Sequence, residues 1–573
     1  MDTKERLRLE SLFFMKLDKK VFSFLFGKVE CANDILVWVM SVLFSIATIT
    51  GTHFTNGLIF SKMSKVNLLL YVLAIVGFTF VARCIFVLGY RFFEKWAMKE
   101  QQIEIAPVKG KWKVWLFAFV VIMAGWLVVW LAYYPGLWNY DPYQVYQVMN
   151  GEYSKYHPIL HTLFLGWCYV YGLYQNNPNL GAIIYAQFQM MMMAGMFAHA
   201  YVYVKEHVSS KAFHVITLLF FALFPVNSIM SLSTTKDTLF SGFVLMALVL
   251  SLEYFERKEK SLKTSKIGVI GIFVFVVLMM LYRNNAFYAF LVTLVITVGL
   301  LFLKQDVKKV VVFVLVCIIA YKGCDIGLTN HFAAADGPKG EMFSVTSQQF
   351  GRIYTLVPED IESRQMIEKF YRMPNAYYKP ALSDTMKGQL INIDTTEGML
   401  EYLKTAWELF KRYPMVSIES FIYLTQGFWD VNDVSHADIY DFYGVTSEYR
   451  FGYLCTTVFP EYGIVPQSKI PALEAFLENA FTENAYQNIP LLPLIFAPAS
   501  YVWFLLFGTV VILTKKNWNA MVVYSFLWGY MLTLFLGPCV LIRYVYLLVI
   551  SVPVQIYVLL NTISKKNLEE TNG

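Results

Sequence analysis

Charged residues are scarce in this chain. Asp, Glu, Lys and Arg make up 15% of its 573 residues and hydrophobic residues 57%, whereas roughly 25% charged residues is usual in a soluble globular domain. So few charges cannot cover a soluble surface of this size, and several apolar runs reach the roughly 17 to 25 residues that cross a bilayer. The composition therefore predicts an all-α polytopic membrane protein.

Net charge and cysteine spacing each argue against a further class of protein. The formal net charge is only +6, and Lys and Arg cluster in short loops between apolar runs, which favours membrane orientation over nucleic-acid binding. The seven cysteines are scattered, with no CxxC pair and no Cys/His cluster in the sequence. Their spacing argues against a zinc site and against a disulfide framework.

The apolar runs predict twelve transmembrane helices. They lie near 33–52, 67–90, 113–133, 180–204, 210–231, 238–254, 266–282, 286–303, 308–322, 491–513, 519–536 and 543–560. Basic loops are expected on the cytoplasmic side of the plasma membrane, and twelve crossings place all of these loops and both termini there. The short run 158–174 would move the later basic loops outside if it crossed, so we expect a re-entrant or interfacial helix.

The predicted spans divide the chain into five parts. These are a cytoplasmic amphipathic N-terminal segment at 1–32, a transmembrane module at 33–322, a mainly α extracytoplasmic domain at 323–490, C-terminal transmembrane helices at 491–563 and a cytoplasmic tail at 564–573. The external loop 134–179 of the module is expected to hold a pair of interfacial helices. On this topology the polar turns that carry candidate site residues all lie on the extracytoplasmic side.

One carboxylate, Asp141, lies among aromatic residues in the stretch "WNYDPYQ". Aromatic neighbours would partly desolvate it, which is one way in which proteins prepare a general base. An ordinary structural role is also expected, because Asp followed by Pro142 suits the start of a helix. The two roles are compatible, since a capping position also fixes the side chain.

Two further pairs of polar residues flank the predicted spans. His157 and His161 in "HPILHT" are four residues apart and could bind a metal, orient a substrate or contact a phosphate, or could be ordinary interfacial histidines. Lys236 and Asp237 in "STTKDT" suit either a phosphate or sugar contact or a local helix cap.

Arg283 in "YRNN" and Arg543 in "LIRY" stand at span ends far from the basic loops. An arginine there can bind a lipid phosphate in bidentate fashion, or can snorkel to headgroups.

In the external domain, Gln348, Gln349 and Arg352 lie on what could be one amphipathic helix. That helix would either cover the membrane site as a lid or simply pack there.

Four stretches resemble one enzyme family. "YYPGLWNYDPYQVYQVMNGEYSKYHPILHT" resembles the first external loop of bacterial GT-C-type integral-membrane glycosyltransferases, and "TKDTLF", "YRNNAFY" and "SVTSQQFGR" are similar to the same branch. The matching loop residues are Pro135, Gly136, Asp141, Gln144 or Gln147, Gly151, His157, Pro158 and Thr162. GT-C enzymes have many spans, an acid in the first long external loop and often a soluble outer domain.

The resemblance implies a hexosyl or pentosyl transfer from a polyprenyl-phosphate-linked donor. Asp141 would be the base in an inverting displacement, and Arg543, Arg283 and Lys236 would hold the leaving lipid phosphate. The other expected substrate-binding residues are His157, His161, Gln144, Asp237, Gln348, Gln349 and Arg352. The acceptor would be a glycan, glycolipid or protein of the cell envelope. The resemblance assigns no particular cofactor. A divalent cation is one possibility, but the sequence departs from the metal-using members in having no Asp-x-Asp around Asp141, which argues against it.

Two other functions are alternatives. A polymerase or ligase of lipid-linked polysaccharide also uses polyprenyl carriers and external arginines, but its large external loop would carry the catalytic residues. A lipid or solute transporter would need ionisable residues near mid-span and often repeated, broken helices, and the predicted spans contain very few charges. A non-enzymatic scaffold gives no reason to gather these charged residues on one side.

Overall fold

The computed structural model describes residues 27–55, 60–102, 108–138, 145–301, 308–432, 462–482 and 485–571. Within these residues the fold is all-α, with a few short 3-10 or π turns, isolated β-bridges and no sheet. Most of the predicted N-terminal segment at 1–32, together with Asp141 and Gln144, lies outside the described residues.

The helices follow the apolar runs of the sequence. Those before the external segment are α1 Asp34–Thr55, α2 Lys65–Gln101, α3 Lys111–Ala132, α4 Val145–Asn150, α5 Ile159–Tyr174, α6 Pro178–His207, α7 Lys211–Leu223, α8 Pro225–Leu232, α9 Lys236–Glu259, α10 Lys266–Tyr282, α11 Asn284–Leu301 and α12 Lys308–His331. The later ones are α13 Ser344–Leu356, α14 Ile361–Glu368, α15 Pro374–Tyr377, α16 Asp384–Lys387, α17 Thr396–Arg412, α18 Pro414–Thr425, α19 Pro471–Leu477, α20 Leu492–Phe496, α21 Pro498–Thr514, α22 Trp518–Leu534 and α23 Tyr546–Thr571.

Eight helical segments of the described chain are long and apolar enough to cross a membrane. They are Asp34–Phe54, Lys65–Gln101, Lys111–Ala132, Pro178–His207, Lys211–Leu232, Lys236–Glu259, Lys308–His331 and Tyr546–Lys565. The other four predicted spans correspond to α10, α11, α21 and α22, which are helices of 17 or 18 residues. The protein is therefore a multi-pass membrane protein.

Three elements have bounds that differ from the sequence prediction, because helices obey local backbone rules rather than hydropathy. The predicted span 210–231 is divided into α7 and α8 at Pro225, which cannot donate a helical hydrogen bond. α12 continues to His331 as one helix, so the predicted domain boundary at 323 falls inside it. Likewise α23 extends into the predicted tail at 564–573.

α9 and α23 form the centre of the bundle. The share of each span that is buried is 78% for both, whereas it is 17% for α3 and α12, whose remaining surface is left for lipid. α9 packs against α6, α10, α22 and α23. α6 runs parallel to α9, because Gln189 bonds to Ser233 beside the start of α9 and Tyr203 bonds to Glu256 near its end.

The two ends of the bundle are named here after the two ends of α9. At the Glu256 end, the Glu256 carboxylate accepts hydrogen bonds from Tyr203 at 2.6 Å and Tyr557 at 2.7 Å, and lies 2.8 Å from His207. This carboxylate therefore ties α6, α9 and α23 together. At the Lys236 end, Leu137 and His157, which lie between α3 and α6, contact the bundle.

α5 starts and finishes at the Lys236 end. His157, just before α5, contacts Lys236, and the turn after α5 leads directly into α6. The two helices pack closely and antiparallel: a Cβ on Gly181 would approach the Cys168 carbonyl oxygen to 2.6 Å. Glycine at this position therefore allows the backbones of α5 and α6 to touch.

The segment from α13 to α18 has a hydrophobic core of its own. Phe350, Tyr371, Tyr402 and Leu409 are buried at its centre. This core is separate from the large core of the membrane bundle. The segment meets the bundle at the turn before α23, where the Ser383 backbone N–H donates to the Pro538 carbonyl at 2.9 Å.

Candidate functional site

Three helix junctions deliver charged side chains to the Lys236 end. α9 begins at Lys236 because Thr235 caps it, its side-chain oxygen accepting from the Asp237 backbone N–H at 3.3 Å. Arg283 is the extended residue between α10 and α11, and Arg543 lies in the turn that precedes α23. Each of these basic residues therefore lies at the beginning or end of a helix. The local sequence determines where these helices begin and end, and so where the three side chains lie.

Asp237 holds the two arginines together. Its carboxylate forms an ion pair with Arg283, and its Oδ2 lies 3.8 Å from Nε of Arg543. The side chains of Asp237, Arg283 and Arg543 are 1%, 8% and 6% exposed. Buried charges are tolerated only when they are paired, so Asp237 is the counterion that keeps two guanidinium groups at one buried point.

Aromatic rings orient both guanidinium groups. The Arg283 guanidinium carbon lies 5.2 Å from the ring centroid of Tyr544 and 5.5 Å from that of Tyr530, within cation–π range. Arg543 lies 4.8 Å from the Tyr544 centroid and also donates to the Tyr544 hydroxyl at 3.1 Å. A planar guanidinium held in a fixed orientation suits the two-point recognition of a carboxylate or phosphate.

Lys236 connects this site to the loop before α5. Its ammonium nitrogen donates to Nδ1 of the buried His157 at 2.8 Å. An ammonium group can only donate, so His157 accepts at Nδ1 and carries its proton on Nε2. We name Lys236, Arg283 and Arg543 the basic cluster.

His161 belongs to a separate hydrogen-bond chain. Tyr185 donates its hydroxyl to Gln189 at 3.0 Å, and the Tyr185 oxygen lies 3.0 Å from Nε2 of His161. The Gln189 amide then donates to the carbonyl of Ser233 at 2.8 Å and to that of Ser231 at 3.0 Å. His161 therefore supports, through two side chains, the loop that carries Thr235 and Lys236.

The first external loop is joined to the same loop. The Leu137 backbone N–H donates to Leu232 O at 3.2 Å, and Thr234 N–H donates to Leu137 O at 3.0 Å. The chain is described on both sides of residues 139–144, and both flanking residues, Trp138 and Val145, are buried in one cluster.

The three predicted residues of the external segment lie inside that segment, away from the basic cluster. Gln348 donates to Lys379 O and Gln349 to Ala406 O, each at 2.8 Å. Arg352 forms a buried ion pair with Glu419 at 2.7 Å. Beside it, burial raises the pKa of Tyr378 to about 12, so this phenol stays protonated.

The sequence does not predict four residues that contact the site: Tyr185, Gln189, Tyr530 and Tyr544. Gln189 had a visible signal, since it is an amide within the otherwise apolar run "IIYAQFQMMMM". The tyrosines had none, because 38 tyrosines occur along the chain. Across the described residues, no group of three or more His, Cys, Asp or Glu side chains is placed to hold a metal ion.

These features define a multi-pass membrane protein with a cluster of basic side chains, of which the two arginines are buried, at one end of its helical bundle. The chain belongs to a family of unknown function (DUF6020), whose model matches residues 150–572. No curated protein and no solved structure matches the chain. The matched range contains the whole basic cluster, together with His157, His161 and Asp237, whereas Asp141 and Gln144 precede it.

Replacing Asp237 by Asn is expected to destabilise the protein by about 3–5 kcal/mol, because the variant leaves two buried arginines without their carboxylate. The measurement is the free energy of unfolding of the purified protein in mixed micelles. The matched control is Ser241→Ala, one turn further along α9, where a buried hydroxyl donates only to the Asp237 backbone carbonyl. An Asp237→Asn variant as stable as this control would show that the carboxylate is not the counterion.

Proposed function

We propose that this protein is a GT-C-type glycosyltransferase. It transfers a sugar from a polyprenyl-phosphate-linked donor to a cell-envelope acceptor on the extracytoplasmic face of the plasma membrane. The observation that carries the proposal is the convergence at one buried point of Arg283 and Arg543, with Lys236 next to their shared counterion. Guanidinium groups in this arrangement suit the oxygens of a phosphate.

An apolar cavity beneath the basic cluster supports a lipid as the carrier of that phosphate. The cavity has a volume of about 350 Å³; Met279 and Phe526 line the part nearest the basic cluster, and the cavity continues to the Glu256 end, where Tyr254 and Lys309 line it. Met279 lies one helical turn before Arg283, and Phe526 lies one turn before Tyr530. A ligand with an anionic head and a long hydrocarbon chain would match this order of polar and apolar surfaces.

The distribution of charge supports an extracytoplasmic site. Lys111 and Lys565 lie at the Glu256 end, where they pair with Glu206 and Glu259. The positive-inside rule favours the cytoplasm for this end, which supports an outer position for the basic cluster. Twelve crossings, with α5 as a helix that does not cross, are consistent with both ends of α5 lying at the Lys236 end.

In the proposed reaction, Asp141 removes a proton from the acceptor nucleophile as this attacks the anomeric carbon. A new bond forms to that carbon while its bond to the phosphate oxygen breaks, so the configuration inverts in one step. The polyprenyl phosphate leaves with the bonding electrons, and the basic cluster stabilises its charge. The role of Asp141 rests on the sequence resemblance, whereas that of the basic cluster also rests on its geometry.

The test is transfer by the purified protein in lipid nanodiscs. Radiolabelled polyprenyl-phosphate-linked hexoses and pentoses are offered with a membrane extract as the acceptor. We expect labelled product and free polyprenyl phosphate, with no product from nucleotide sugars. Growth of a lipid-linked glycan by whole repeat units would instead indicate a polymerase or ligase. The proposal would be overturned if the protein transferred no sugar and bound polyprenyl phosphate no better than an Arg283→Gln/Arg543→Gln variant does.

A further inference from the structure

α18 has an apolar side that no described part of the chain covers. Met415 and Ile418 on this side are 49% and 42% exposed, and Ile422, one turn further on, is half-buried. The one charged residue of α18, Glu419, points inward to its ion pair with Arg352. The exposed side of α18 therefore carries no charge.

The preceding helix, α17, also has exposed apolar side chains. On α17, Leu400, Leu403 and Trp407 are 52%, 47% and 61% exposed. Their spacing of three and four residues puts them on one side of the helix, next to the side that packs into the core of the segment. We name the exposed residues Leu400, Leu403, Trp407, Met415 and Ile418 the apolar patch. Exposed apolar surfaces of this kind mark sites of interaction.

α18 is attached directly to a membrane span. The ring of Tyr423 lies 4.0 Å, between centroids, from that of Phe54, and Gln426 donates to the Gly51 carbonyl at 3.4 Å. Gly51 and Phe54 belong to the last turn of the candidate span Asp34–Phe54. A few residues beyond α18, the Trp429 carbonyl accepts from Trp503 of α21 at 2.8 Å. These contacts hold α18 at the level where the spans leave the hydrocarbon.

We propose that the apolar patch is embedded in the lipid of the membrane interface. Helices that lie on membranes place apolar and aromatic side chains at the boundary between headgroups and acyl chains, with basic side chains beside them. Trp407 is of the type enriched at this depth. Lys404 and Lys411, both exposed on α17, are placed to reach lipid phosphates by snorkelling. The external segment thus rests on the bilayer through α17 and α18.

Spin labels measure this contact in the full chain. Single cysteines replace Met415, Ile418, Glu397 or Val312 in a background with the native cysteines changed to alanine, in nanodiscs of phosphatidylethanolamine and phosphatidylglycerol. Val312 is an exposed residue of α12 and reports on lipid, whereas Glu397 is an exposed residue on the charged side of α17. We expect labels at 415 and 418, like the label at 312, to be more accessible to oxygen than to a water-soluble nickel complex. The label at 397 should be more accessible to the nickel complex than to oxygen.

Two outcomes would overturn the proposal. Labels at 415 and 418 that behave like the label at 397 would place the apolar patch in water. Labels shielded from both reagents would show that protein, from this chain or another, covers the patch instead of lipid.

A second measurement keeps all native cysteines and so does not depend on the folding of the altered background. Fluorescence quenching by brominated phosphatidylcholine is compared for wild type, Trp407→Phe and Trp126→Phe. Trp126 is fully buried in the bundle and serves as the control. The difference in emission between wild type and each variant is the contribution of the replaced tryptophan. We expect the brominated lipid to quench the contribution of Trp407 and to leave that of Trp126 unchanged. Equal quenching of the two contributions would contradict lipid contact at the apolar patch.

Discussion

Asp141→Asn is expected to lower the rate of sugar transfer about 10²- to 10⁴-fold, which is the usual contribution of a positioned general base. Asparagine has nearly the same shape as aspartate but cannot take the proton of the acceptor. Binding of polyprenyl phosphate should change little, because the residues proposed to hold the phosphate are Arg283, Arg543 and Lys236. Asp141→Glu, which keeps a base but moves it, should retain intermediate activity.

Single-turnover rates and a separate binding assay distinguish these effects. The matched control is Asp394→Asn, an exposed carboxylate of the external segment, which should transfer sugar at the wild-type rate. If Asp141→Asn kept full activity, Asp141 would have no part in the chemistry, although the class of reaction would stand. If Asp141→Asn lost donor binding to the same extent as transfer, the residue would be a binding group and not a base.

That Lys236, Arg283 and Arg543 share one end of the bundle could be predicted, because it depends on parity. Each span that crosses moves the next loop to the other side, so basic loops along the chain constrain where every other turn must lie. Lys236, Arg283 and Arg543 stand at turns that share one side under this rule, and the structure brings them to one end of the bundle. The prediction needed only hydropathy and the positions of charges.

The partners of these residues could not be predicted, because they depend on packing between helices that are distant in sequence. Nothing near Asp237 in the sequence indicates that its carboxylate meets an arginine from the end of α10 and another from the turn before α23. The two histidines illustrate the same limit. Their spacing suggested one shared face, but His157 lies before α5 and bonds to Lys236, whereas His161 bonds to Tyr185.

In the external segment, the amphipathic pattern of α13 predicts which residues share a helix face but not which surface covers that face. The pattern of α13 places Gln348, Gln349 and Arg352 on the same helix, and all three are buried. Periodicity identifies a buried face but not the surface that covers it. Here the covering surface includes α18, through Glu419, and the Lys379 and Ala406 carbonyls, so the three polar side chains bond within the segment.

Arg543→Gln and Arg283→Gln are each expected to weaken binding of polyprenyl phosphate about 10- to 100-fold, the value of a hydrogen-bonded charge pair of about 1.5–3 kcal/mol. Arg543→Lys should lose less, because lysine keeps the charge but not the planar pair of donors. The matched control is Arg364→Gln in the external segment, whose guanidinium stacks on Tyr354 far from the cluster. The measurement is the Kd for polyprenyl phosphate in nanodiscs at constant salt.

The double variant Arg283→Gln/Arg543→Gln should lose less binding than the product of the single losses. Both arginines share the carboxylate of Asp237, and residues with a common partner are not energetically independent. When one arginine is absent, Asp237 pairs more strongly with the other and competes with the phosphate for it, so each single change already weakens the remaining arginine. Losses that simply multiply would mean that the two arginines act on the phosphate separately and that Asp237 does not couple them.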